Sequence, residues 1–123
     1  MLQNDFFSFT APQTEGNTIK TTLELNAAHK IFEGHFPQHP IVPGVCMMQM
    51  VKEIVENVIG KETNLSIAHN IKFLTIIDPR ENKTIQLDYK FSTPEEGKIN
   101  IDAQLLNSST VFFKFKGTFV FAS

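Results

Sequence analysis

The sequence predicts an α+β domain in which an antiparallel sheet wraps around one long helix, and three observations carry that prediction. Val45 to Ile59 is apolar over most of its circumference and meets no breaker before Gly60. Four later segments read as strands, and the last three of them alternate apolar and polar residues with the period of a half-buried strand. No second helical pattern separates those segments, so the strands are expected to pair antiparallel on the helix. At 123 residues the chain is expected to form one domain, residues 1–123, around one core.

Taken in order, Asp5 to Pro12 and Asn17 to Leu25 read as extended segments on either side of a polar turn, Gln13 to Gly16. The second places Ile19, Thr21, Leu23 and Leu25 on one side. Asn26 to Glu33 reads as a connector. From Gly34 to Pro43 the chain holds Pro37, Pro40 and Pro43, each of which fixes its own φ and pushes the preceding residue toward extended geometry. A stiff loop follows from this, neither helix nor paired strand. Gly44 allows close backbone approach where the helix begins.

On the helix, Gln49, Lys52, Glu53, Glu56 and Asn57 recur at helical spacing as one polar stripe. Val45, Cys46, Met47, Met48, Met50, Val51, Ile54, Val55, Val58 and Ile59 cover the other faces, so the helix is expected to be largely enclosed. After a polar link, Lys61 to Asn64, strands are expected over Leu65 to Ile77, Lys83 to Ser92, Lys98 to Leu106 and Thr110 to Phe121. The breaks Asp78-Pro79-Arg80, Thr93 to Gly97 and Asn107 to Ser109 are turn chemistry, and Glu95-Glu96 is a solvated turn.

A formal charge of −2 argues against nucleic acid as a partner. Cys46 is the single cysteine, so no internal disulfide forms and a reducing cytoplasm is expected. No apolar run reaches the length of a membrane span, and MLQNDFFSF lacks the basic and apolar regions of a signal peptide. A small domain with one enclosed helix and a Phe-rich last strand leaves apolar surface for a second subunit, so a homodimer is expected.

Chemistry concentrates at the proline loop. His35 is presented on it beside the free N–H groups of a helix N-terminus, which with the helix dipole polarise a carbonyl oxygen. A base beside an oxyanion-type site is the minimum equipment for acid–base chemistry on a thioester or ester. Pro37 and Pro40 forbid the helix that would bring His35 and His39 onto one metal, and no acidic or Cys partner completes a ligand set, so no metal is expected. Cys46 reads as a small core residue, His69 as structural, and Met47, Met48 and Met50 as core or tunnel lining.

The run Gly34 to Val45, GHFPQHPIVPGV, closely resembles the signature loop of bacterial 3-hydroxyacyl-[acyl-carrier-protein] dehydratases of the hot-dog fold. The segment Ile71 to Pro79, IKFLTIIDP, is similar to the family's third strand and its ending, and the order of elements is similar as well. The resemblance implies a dimer whose two sheets join, with active sites at the subunit interface. It implies that His35 removes a proton from the carbon next to the thioester carbonyl, and that the Gly44 N–H holds that carbonyl. Phe36, Pro43 and Val45 are assigned with Gly44 to substrate binding. The acyl chain would lie in a tunnel beside the helix, delivered as a thioester of an acyl carrier protein or coenzyme A, with no metal or redox cofactor.

The resemblance further implies an acid from the first turns of the partner's central helix, five residues after the motif glycine, that assists loss of the 3-hydroxyl; this chain departs there, with Gln49. A neutral amide holds a hydroxyl by hydrogen bonding but is no proton donor. Loss of one acid–base partner costs ~10²–10⁴-fold in rate. Glu53 sits one turn further on, displaced by roughly 6 Å. His39 and the Asp78-Pro79-Arg80 turn also differ from the family's usual residues. The expected function is a 3-hydroxyacyl-thioester dehydratase of fatty-acid or related lipid or polyketide synthesis, with His35 and Gln49 as catalytic residues and activity reduced or altered. The alternative is a non-catalytic acyl-binding chain, or the partner of another hot-dog subunit in a heteromeric dehydratase. A hot-dog thioesterase is the weaker third reading, since it needs a carboxylate from Glu53 or Glu56.

Overall fold

The structure, a computed structural model, describes residues 2–34 and 40–122. Seven strands, β1 (Phe7–Phe9), β2 (Gln13–Glu15), β3 (Thr18–Leu25), β4 (Thr63–Phe73), β5 (Thr84–Ser92), β6 (Lys98–Leu106) and β7 (Val111–Phe121), form one antiparallel sheet. Their order is β1-β3-β5-β6-β7-β4, with β2 also paired to β3. Among the described residues two helices interrupt them, α1 (Ile31–Gly34) and α2 (Gly44–Ile59). The α+β architecture expected from the sequence is present.

The sheet forms because its alternation is consistent from strand to strand. Ile19 faces Tyr89, which faces Ala103, which faces Phe115. That register puts one apolar row on the inner face, where cross-strand pairs stabilise a sheet. The inward residues of α2, Cys46, Met47, Met50, Val51, Ile54 and Val55, join them in one buried cluster. Burying a side chain of Leu or Ile size contributes about 1.5–3 kcal/mol, so this contact dominates the fold.

Element ends differ from the sequence expectation for local reasons. Gln13 to Glu15, expected as turn, pairs with Lys20 to Thr18, because Gly16 at φ 61° lets Gly16-Asn17 alone make the reversal. The connector contains the helical turn α1, and Phe32 from it is buried beside Phe6 at 5.4 Å. β4 starts at Thr63 instead of Leu65, since the Glu56 carboxylate accepts the Thr63 N–H at 2.6 Å and starts the strand early. It stops at Phe73, where the Leu74 and Thr75 N–H groups both turn to the Phe112 carbonyl. Ile77 remains buried in the core and accepts the Val42 N–H from the incoming loop at 2.9 Å.

The helix is less enclosed than its composition suggests. Val45 is 77% exposed, and Val58 is exposed as well. β4 ends the sheet and leaves Leu65, Ile67, Ile71 and Phe73 in the open. Glu53, which reads as part of a solvated stripe, is instead 3% exposed. No helix among the described residues is long and apolar enough to cross a membrane.

Candidate active site

The helix start is the site's framework. Pro43 is the N-cap, with φ −63° and ψ 148°, and no side chain caps the helix. The Cys46 and Met47 N–H groups turn back to the Pro43 carbonyl at 3.0 and 3.2 Å. Those of Gly44 and Val45 have no partner among the described residues, so the positive end of the helix dipole is open to a ligand. A Cβ on Gly44 would lie 2.7 Å from the Phe73 ring, so glycine is what lets that ring close over the helix start. Phe73 in turn stacks on Phe113 at 5.2 Å.

Beside this start runs a groove of about 390 Å³, lined by Gly44, Val45, Met48, Gln49, Lys52, Leu65, Ile71, Phe73 and Phe119. Its walls are alkyl, thioether and aromatic groups from α2, β4 and β7, with Gln49 and Lys52 as its polar side chains. A volume of that order falls in the usual range for small-molecule pockets.

Four sequence-expected site residues fall in the described part. Gly44, Val45 and Gln49 line the groove together, and Pro43 caps the helix at its end. His35 and Phe36, together with His39, lie outside the described residues. Met48 lines the groove, whereas Met47 and Met50 are core. Cys46 is buried, and burial pushes its thiol above the usual range, which suits a core residue and not a nucleophile. His69 is exposed on β4. Among the described residues no His, Cys, Asp and Glu side chains group closely enough to hold a metal.

Neither carboxylate of the helix reaches the groove. Both oxygens of Glu53 are occupied: the Leu2 N–H donates to Oε1 and Oε2 at 3.0 and 2.8 Å, the Gln3 N–H to Oε1 at 2.8 Å, and Gln49 Nε2 to Oε2 at 3.0 Å. Glu56 Oε2 accepts from the Thr63 N–H and hydroxyl. Glu53 is therefore an anchor for the N-terminal segment, a role the sequence pattern concealed. The i,i+4 spacing of Gln49 and Glu53 was the available signal for their contact.

A family model described as ApeI-like, ApeI dehydratase, matches residues 11–111. A protein of Fusobacterium nucleatum named 3-hydroxyacyl-[acyl-carrier-protein] dehydratase FabZ is 26% identical over 113 residues, covering 88% of this chain and 79% of that protein. In the dehydratase heterocomplex ApeI:P from Xenorhabdus doucetiae, one chain superposes with a TM-score of 0.71 at 18% identity, over 91% of this chain and 96% of that one. A hypothetical thioesterase with coenzyme A from Streptococcus pneumoniae superposes at 0.66 with 8% identity, over 95% and 86%. The fold is the hot-dog fold.

Proposed function

The chain belongs to the ApeI-like dehydratase family, and on that premise we propose that it dehydrates 3-hydroxyacyl thioesters in fatty-acid or related lipid synthesis. The observation that carries the reading is the apolar groove beside N–H groups at the start of α2 that have no partner among the described residues. Support comes also from the relatives named as 3-hydroxyacyl-[acyl-carrier-protein] dehydratases.

In this mechanism the Gly44 N–H holds the thioester carbonyl and takes up the charge that develops on its oxygen. The His35 imidazole removes the proton from C2. The C2–H electron pair forms the C2=C3 bond, and the C3–O bond breaks. Gln49 holds the 3-hydroxyl, and the proton taken by His35 returns to the departing oxygen, which leaves as water. Phe36, Pro43 and Val45 border the acyl head, with the chain along the groove. The substrate arrives on an acyl carrier protein or coenzyme A, and the protein acts in the cytoplasm as one hot-dog domain.

The site is completed by a second copy of the chain. β4 is an edge strand whose Leu65, Ile67, Ile71 and Phe73 are exposed and whose charge is limited to Lys72. Edges left so uncharged are made for pairing. Purified protein given a 3-hydroxyacyl carrier thioester is expected to release the enoyl product, above a His35→Ala control. Equal product from both proteins refutes the lyase assignment.

A second reading rests on the lack of any carboxylate in the groove among the described residues. A different hot-dog subunit would then supply the acid, and this chain would be one half of a heteromeric dehydratase. Co-purification from the native host distinguishes the two, since a homodimer with no second chain excludes the heteromer. A thioesterase is disfavoured, because Glu53 and Glu56 are already engaged.

A further inference from the structure

We propose that Glu53 is a positioning residue that fixes the amide of Gln49 so that its carbonyl oxygen, not its NH₂ group, faces the acyl groove. The groove then selects acyl groups that present a hydroxyl donor at that depth over those that present only an acceptor, such as a 3-oxo group. The inference rests on the acyl-groove reading above and deepens it.

Glu53 is 3% exposed, and both its oxygens already accept backbone N–H groups from Leu2 and Gln3. A carboxylate in that state offers only lone pairs to a fourth partner. The end of Gln49 that faces it at 3.0 Å is therefore the NH₂ group. Turning the amide over would place its oxygen against a carboxylate oxygen and leave a buried acceptor unpaired, which is costly.

Glu53 does not line the groove, whereas Gln49 does, so Gln49 bridges from the buried anchor to the open side. One Nε2 hydrogen goes to Glu53, and that bond sets the amide plane, so Oε1 is the acceptor that Gln49 turns away from the carboxylate. Lys52, the other polar side chain in the lining, has only donors. Among the described lining residues Gln49 Oε1 is thus the side-chain acceptor, set in apolar walls where an unmatched polar group is penalised. A hydroxyl satisfies it, and a carbonyl oxygen opposes it.

The test uses the full chain and two kinds of readout. In ¹⁵N NMR, the Gln49 side-chain amide is assigned by its loss in Gln49→Ala, and Glu53→Gln is expected to shift it, because the charged acceptor is gone while the packing is kept. Binding is then measured with acyl-pantetheine analogues whose thioester is replaced by an amide, bearing a 3-hydroxyl, a 3-oxo group or neither. Wild type is expected to favour the hydroxyl over the oxo analogue by roughly tenfold, the scale of one hydrogen bond made against one opposed. In Glu53→Gln that ratio is expected to fall toward one while the unsubstituted analogue binds as before. A merely structural role would weaken all three alike.

An unmoved Gln49 resonance, an unchanged ratio in Glu53→Gln, or no binding of any analogue to wild type overturns the inference. Selective binding of the hydroxyl analogue without enoyl product from the matching thioester supports the inference and removes the dehydratase assignment instead.

Discussion

Gly117 on β7 faces the backbone of β4 so closely that a Cβ there would stand 2.7 Å from the Ile67 carbonyl oxygen. The pairing of these strands slips between Leu65 and Ile67 and again between Ala68 and Asn70, so the crowded point sits between two irregularities. A methyl group would also meet the Phe115 ring. Gly117→Ala is therefore expected to lower stability by about 1–3 kcal/mol, the usual range for overpacking. Urea unfolding measures it, and an unchanged midpoint would mean that the β4 backbone moves aside freely.

The junction between α2 and β4 rests on Glu56. Its Oε2 accepts the Thr63 N–H at 2.6 Å and the Thr63 hydroxyl at 3.3 Å, and Thr63 is 2% exposed. Glu56→Ala leaves those donors without a partner and is expected to cost about 1–3 kcal/mol. Glu56→Gln keeps a carbonyl acceptor and should cost less. Hydrogen exchange at the Thr63 amide reports the site directly, and equal protection in all three proteins would refute the assignment.

The turn after β4 gives a pH dependence of known sign. Hydrogen bonding from the Arg80 guanidinium, with its backbone N–H and its charge, holds the Asp78 carboxyl below its ordinary range. A carboxyl lowered on folding stabilises the folded state above its unfolded pKa of about 4 and loses that contribution as pH falls through its folded value. Arg80 is half exposed, so solvent screens the pair and the effect is small. The stability difference between wild type and Asp78→Asn is expected to shrink as pH is lowered below about 4. A difference that stays flat with pH would rule out the carboxylate as its source.

The legible part of this chain was whatever depends on period. The alternation in Ile85 to Phe91 and Ile99 to Leu105 matched the burial of Ile85, Leu87, Tyr89, Ile99, Ile101, Ala103 and Leu105. The helix was legible from Gly44 to Gly60 because a proline cap and a left-handed glycine mark its ends. What periodicity missed was decided by distant partners. Glu53 lies in phase with solvated residues, yet the N-terminal backbone covers it, and nothing near it in sequence says so. The contact between Phe73 and Gly44 likewise joins positions that only the folded sheet brings together. The resemblance alone singled out Gln49, and its periodicity set it with solvated residues; its position in the groove and its contact with Glu53 appear only in the folded chain.

Gln49→Glu puts an acid at the helix position where the sequence lacks one, and is expected to raise dehydration by up to ~10²-fold, the lower end of what a proton donor contributes. The new carboxyl would face Glu53 one turn away, where Gln49 Nε2 now lies 3.0 Å from Oε2. Two carboxyls at that separation do not both ionise freely, so they share a proton to higher pH than either would alone. The shared proton is the catalytic one, so the gain is expected to be largest at low pH and to fade as the pair loses it. Stability follows the same sign: a carboxyl whose proton is held more tightly when folded contributes fully below its unfolded pKa and loses that contribution as pH rises through its folded value. The variant should therefore match wild type below about pH 4 and melt progressively earlier than wild type as pH rises above that. Enoyl formation and thermal unfolding, each followed across pH, check both halves. A folded variant no faster than wild type at any pH would show that the 3-hydroxyl does not pass this turn of the helix.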